Sequence, residues 1–363
     1  MSFCFYADVI LPVRGAVMTV KELHPGMSIS DAASSVPEGA VLLRLHPGIY
    51  REKVFIRRSD VTVEGLGSAP EDVRIEWGDY AFEMMPDGIK RGTFRSYTFF
   101  IKGDGNCLKN MTIENTSYPR EMAGQAIALF AEGDFTGEKL VLNSYQDTLF
   151  TGPLPYKEKE PGGFIGPTEF DERIPCKQYY RECRISGDID FIFGSSSCYF
   201  EDCAIISRNG FAGGGTADGH KSESNEHEVY GYCTAASTYE GLKYGYVFEN
   251  CRFLNDGCPE RSVYLGRPWR EHARTVLINC YLGEHIREEG FHDWGKTDAH
   301  DSILYAEYGS EGPGASGERA SFVRSLTEGD AGEYSRDAFM KSVCRKRISE
   351  TTLLSTQNQN NNH

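Results

Sequence analysis

Apolar and polar positions alternate along most of the chain in short runs closed by Gly, Asn or Asp. Val41–Leu45, Val54–Ile56, Val61–Val63 and Tyr97–Ile101 are runs of this kind, and period-two alternation between turn residues predicts strands. One short helix is predicted ahead of them, Ser28–Val36, with Ser or Asp as N-cap and Pro37-Glu38-Gly39 to end it. Helical periodicity returns only at Ser335–Val343. The pattern therefore predicts an all-β fold with a helix at each end.

A repeated element narrows the type of β fold. An apolar residue, a polar one, Asn or Cys, and a polar and apolar alternation recur at Leu108–Ile113, Leu140–Ser144, Tyr179–Cys183, Tyr199–Cys203, Tyr246–Cys251 and Val276–Cys280. Cys183 and Cys203 lie one short repeat apart, and the longer gaps hold Gly-rich or charged stretches that read as extruded loops. A unit of about 20 residues that stacks on its neighbours predicts a β-solenoid. A β-sandwich is the competing architecture, but it offers no reason for one element to recur. On the solenoid the cysteines become small buried hydrophobes on successive rungs.

With 363 residues and 40% hydrophobic content, the chain can bury one long core. The repeats place it at 18–308, with an N-terminal leader or extra strand at 1–17, a packing segment at 309–350 and a disordered tail at 351–363. Gly152–Cys176, rich in Pro, Gly, Lys and Glu, reads as a surface insertion of the kind that forms lids or cleft walls. A net charge of −15 excludes nucleic acid and anionic membrane as natural partners. Eleven cysteines without metal-type spacing read as thiols rather than a disulfide framework, and no metal or other cofactor is implied. Met1–Val20 lacks a basic region leading into an apolar run, which predicts a cytoplasmic location, or secretion if a leader has been removed. A monomer is expected.

Four segments set polar residues among apolar ones: Gly124-Gln125-Ala-Ile-Ala-Leu129, Tyr145-Gln146-Asp147-Thr-Leu149, Gly187-Asp188-Ile-Asp190-Phe-Ile-Phe-Gly194 and Tyr264-Leu-Gly-Arg267-Pro-Trp269. A carboxylate inside an apolar strand is costly unless it has a partner or a task. Gln125 and Gln146 are spaced to stack on adjacent turns, as are Asp147 and Asp190 once an insertion of roughly 20 residues is set aside. Two close carboxylates do not both ionise easily, and a fixed Arg beside one decides which stays charged. Such a set supplies a carboxylate nucleophile, a proton donor and amide donors for an oxyanion. No Ser-His-Asp arrangement is visible; His220, His227, His272, His285, His292 and His300 stand in polar loops and read as solvated.

Together GQAIAL, QDTLF, DIDFIFG and LGRPW resemble the pectin methylesterases, supported by Pro47–Glu52, Ile113–Thr116 and Gln178–Arg181. The resemblance spans about 18–308 and implies a right-handed parallel β-helix hydrolysing galacturonate methyl esters through an aspartyl acyl-enzyme. It implies Asp190 as nucleophile, Asp147 as acid and then base, Gln146 and Gln125 as oxyanion donors, and Arg267 as the group orienting Asp190. Trp269 would stack on a sugar, Phe193 and Phe150 would wall the cleft, and Thr98 would touch substrate. Asp188 and Phe150 depart from the family's usual residues. By simple alternation Asp188 would share a face with Asp190.

A pectate lyase or polygalacturonase on the same fold would need a calcium-binding carboxylate cluster or aspartates around a glycosidic oxygen, and neither pattern is present. A non-catalytic carbohydrate-binding solenoid would keep the aromatics without the Gln146-Asp147, Asp190 and Arg267 set. The expected substrate is a short methylated oligogalacturonide. Long demethylated chains are polyanions that an acidic protein repels, and the insertion is placed to close one end of the cleft.

Overall fold

The computed structural model describes residues 18–118, 120–210 and 228–342. His220 and His227, the expected leader and the expected tail lie outside them.

The described strands form one sheet of seventeen and one of seven, with parallel pairing throughout both. Each strand pairs with its counterpart one turn later, as a coil of rungs requires. Tyr179 pairs with Tyr199 and Leu43 with Val63, at the short spacing expected; elsewhere loops lengthen the turn, as from Tyr199 to Val247. The predicted N-terminal helix is Ile29–Ser34, capped by the Ser28 side chain. At the other end, Arg336–Lys341 is helical and inserts Phe339 between Tyr199 and Tyr244 on the outside of the large sheet.

The recurring polar residue has a backbone cause. Asn110, Lys139, Glu182, Asp202, Asn250 and Asn279 all hold φ between 51° and 54°. Each makes a corner at which the large sheet bends, and Asn and Asp tolerate this left-handed conformation best among residues with a side chain. The residue after each corner then points into the core, where Cys183, Cys203, Cys251 and Cys280 are buried. The nine described cysteines are all buried free thiols, as their spacing predicted.

One histidine contradicts the solvated reading. His285 is fully buried, and neither ring nitrogen has a hydrogen-bond partner. Burial lowers its pKa to about 4. Below an ordinary value near 6.5, the unfolded chain takes up a proton that the folded chain refuses. Stability is therefore lost as pH falls from about 6.5 towards 4, by roughly 3 kcal/mol across the window. Urea titrations of wild type and His285→Leu should show a flatter pH dependence for the variant in that range. Equal slopes would contradict the assignment.

Candidate active site

The seven-stranded sheet carries the site on its outer face. Its inward residues, among them Phe99, Leu129, Leu149 and Ile192, belong to the main core. The intervening positions build a ladder: Phe55 pairs with Phe100, Phe100 with Phe130, Phe130 with Phe150, and Phe150 with Phe193. Successive ring centroids are 4.8, 4.9, 4.6 and 4.9 Å apart, the separation of neighbouring strands.

Asp147 and Asp190 stand at the entry to this ladder on adjacent rungs. Leu149 pairs with Ile192, and the Asp147 N–H donates to the Ile189 carbonyl at 3.0 Å. Both aspartates have left-handed backbones, φ 64° and 50°, which is uncommon and recurs at functional sites. At Asp190 the next ladder slips between Ile189 and Ile192. Alternation therefore fails there, and the expectation that Asp188 and Asp190 share a face fails with it. Asp188 is fully buried, with Oδ1 accepting from the Ile189 N–H at 2.6 Å and Oδ2 against Gly210. The strand's bounding glycines have steric causes. A Cβ at Gly187 would fall 2.5 Å from the Tyr145 carbonyl oxygen, and one at Gly194 would fall 2.2 Å from that of Thr151.

Arg267 follows the strand Val263–Gly266 and meets Asp190 as a fork. Its Nε donates to Oδ1 and its Nη2 to Oδ2, both at 2.8 Å, with both residues buried. The Arg267 guanidinium carbon lies 3.8 Å from the ring centroids of Tyr232 and Trp294. A planar cation packed on two aromatics and paired with a carboxylate is fixed in position. Sequence reasoning missed both rings. Trp294, alone in the polar run His292-Asp-Trp-Gly, was a usable signal; Tyr232, inside a buried strand, gave none. His292 is half-buried, and its Nδ1 accepts from the Trp294 backbone N–H at 3.0 Å.

The two glutamines are less regular than expected. The rung pairs Leu149 with Leu129, so Gln146 aligns with Ala126 and Gln125 falls one residue out of step. The rung is one residue shorter than the interval between the glutamines. Both are half-buried, and neither side chain hydrogen-bonds a described residue.

Three expected substrate contacts are overturned by burial. Thr98 is fully buried, its hydroxyl donating to the Glu114 carbonyl at 3.1 Å. Phe150 is fully buried and Phe193 is 3% exposed, both inside an aromatic cluster with Phe94, Phe130 and Phe164. Phe at 150 fits this dry cluster, where a hydroxyl would lack a partner. Trp269 is half-buried, 5.7 Å from Phe193 and 6.4 Å from Phe164.

The insertion causes much of this burial. Leu154 and Phe164 join the cluster, and the segment spans the sheet's face. Near one end, Arg270 donates to the Lys157 carbonyl and Tyr239 to that of Leu154. Near the other, Asp171 pairs with Lys102 and Arg57.

A family model described as pectinesterase matches residues 17–154 and 174–343. The chain belongs to the pectinesterase family. It is 31% identical to Pectinesterase 31 of Arabidopsis thaliana over 325 residues, covering 86% of this chain and 88% of that protein. The likeness to probable pectinesterase/pectinesterase inhibitor 23 of the same plant is 30%, with half of that longer protein covered. Among solved structures, a pectin methylesterase from Erwinia chrysanthemi matches with TM-score 0.68 at 24% identity, covering 92% of this chain and 99% of that one. The fold is thus the right-handed parallel β-helix expected, and a pectinesterase is a carboxylic ester hydrolase. The cytoplasmic expectation gains no support from these relatives. Among the described residues, no helix is long and apolar enough to cross a membrane. The matched segments leave out 155–173, the middle of the strap over the aromatic face.

Proposed function

We propose that this pectinesterase hydrolyses methyl esters of short oligogalacturonides through an acyl-enzyme on Asp190. The observation that carries the reading is the buried, two-point Asp190–Arg267 pair one rung from Asp147. A carboxylate Oδ of Asp190 attacks the ester carbonyl carbon, and the oxyanion is met by amide N–H groups of Gln146 and Gln125. The bond to the methoxy oxygen breaks as Asp147 gives it a proton, releasing methanol and leaving a mixed anhydride. Asp147, now the carboxylate, takes a proton from water as its oxygen attacks the galacturonate carbonyl, freeing Asp190. Trp269 presents its remaining open ring surface to a sugar.

The preference for short chains rests on the strap. It closes over an aromatic face that would otherwise extend the cleft, and Phe164 abuts Trp269. Methylated trimers and high-molecular-weight pectin compared at fixed ionic strength should show equal or higher efficiency per ester on the trimers. Methanol should equal new acid groups, without new reducing or unsaturated ends. Removing 158–168 should shift the preference towards polymer. A strong preference of the intact protein for polymer would overturn the length assignment, and new chain ends would overturn the reaction.

A further inference from the structure

The two arms of the strap are held by different physics. The arm up to Phe164 is held by apolar burial: Leu154 and Phe164 sit in the aromatic cluster, and Tyr156 stacks on Tyr239 with ring centroids 4.1 Å apart. Between Phe164 and Cys176 no apolar side chain is buried; Phe170 is 92% exposed and Ile174 50%. This second arm is a knot tied by its own Arg173, which donates to the Thr168 carbonyl at 2.8 Å and to those of Glu169 and Asp171 at 2.6 Å. What the knot meets on the sheet is charge. Arg57, Lys102 and Glu132 end three consecutive strands, Val54–Arg57, Phe99–Lys102 and Leu129–Glu132, and pair with one another in register. Lys102 is in an ion pair with Glu132. Arg57 and Lys102 are like charges on neighbouring rungs, an unfavourable arrangement unless an anion bridges them. Asp171 is that anion. It pairs with Lys102 at 2.6 Å and with Arg57, which also donates to the Pro167 carbonyl at 3.2 Å. Burial would raise the Asp171 pKa, but its contacts with Lys102 and Arg57 outweigh this and lower it.

We propose that Asp171 is a specificity-determining residue, whose bridge between Arg57 and Lys102 latches the strap over the aromatic face and so limits action on long chains. The proposal rests on the esterase reading and names the residue through which the strap sets chain length. A short ligand binds with the latch closed. A long one needs the strap displaced, so its apparent affinity falls with the fraction of molecules that are open. The knot moves as a unit because Arg173 ties it internally, and no buried apolar side chain holds it down. Charge is what keeps it closed. Asp171, Arg57 and Lys102 are all partly exposed, so salt screens the latch.

The test measures initial rates on fully methylated pectin and on the fully methylated trimer. Both are uncharged, so salt acts on the latch and not on the substrate. Asp171→Asn should raise kcat/KM on the polymer about fivefold, because two partly exposed ion pairs are lost. The gain should come through KM, with kcat and the trimer's constants unchanged. Asp171→Glu, which keeps the charge, should stay close to wild type. Going from about 0.05 M to about 0.5 M NaCl should raise the wild-type polymer-to-trimer ratio and leave that of Asp171→Asn where it is. A ratio unmoved by Asp171→Asn, or an equal loss on both substrates, overturns the proposal. Hydrogen exchange of the strap amides needs no turnover and should be about fivefold faster in Asp171→Asn than in wild type. Equal exchange overturns the latch. Absence of methanol from both substrates would refute the esterase reading alone, and the exchange comparison would still decide whether Asp171 holds the strap.

Discussion

Asp190→Asn is expected to lose methanol release by several orders of magnitude while keeping the fold. Asn matches the shape of Asp, and Arg267 retains its stacking on Tyr232 and Trp294, so packing survives. What disappears is the nucleophile of a set that acts as a unit, and such losses are large and non-additive. Asp147→Asn should be nearly as inactive, because both protonation of methanol and activation of water depend on it. The double variant should be no worse than the poorer single one. Circular dichroism with a methanol assay checks this; a folded Asp190→Asn that keeps most of its rate would refute the assignment.

Arg267→Ala is expected to damage both rate and stability. Without the fork, Asp190 remains buried with no ion-pair partner among the described residues, and breaking a buried pair from one side costs about 3–5 kcal/mol. The rate should fall about a hundredfold to a thousandfold, the scale seen when a fixed charge-stabilising donor is removed. Arg267→Lys should recover only part, since an ammonium makes one contact where the guanidinium makes two. The diagnostic comparison is Arg267→Ala/Asp190→Asn, which removes the stranded charge. Urea denaturation should find it more stable than Arg267→Ala, although it stays inactive. A double variant no more stable than Arg267→Ala would show that charge pairing is not what holds the site.

The features legible in the sequence are those set by local chemistry or by the rung. The Asn/Cys element marked corners because left-handed backbone selects Asn and Asp, and the next residue must fill the core. The interval from Asp147 to Asp190 equals that from Leu149 to Ile192, which is why stacking could be read once the insertion was set aside. The same logic failed where the backbone departs from a regular strand. Asp190, at φ 50°, breaks the alternation that would have put Asp188 beside it. Gln125 misses the register by one residue for a similar reason, since it precedes its strand instead of lying in it.

Burial of Thr98, Phe150 and Phe193 was illegible for a different reason. What covers the two phenylalanines, Phe94 and the strap, comes from segments whose place over the sheet no local pattern encodes. Phe94 touches Phe150, Phe193 and Trp269, although it stands in a short turn, Thr93–Arg95. His285 is a related case: the polar residues around it in sequence gave no sign that its ring is fully buried.

The central claim is a covalent intermediate on Asp190, and trapping tests it most directly. Hydroxylamine added during turnover should divert part of the product to galacturonate hydroxamate. A common acyl-enzyme requires the ratio of hydroxamate to acid to be the same for methyl and ethyl esters, because the alcohol has already left when the choice is made. The account predicts identical ratios, and no hydroxamate above background with Asp190→Asn. A ratio that changes with the leaving alcohol, or hydroxamate formation that survives Asp190→Asn, would contradict it.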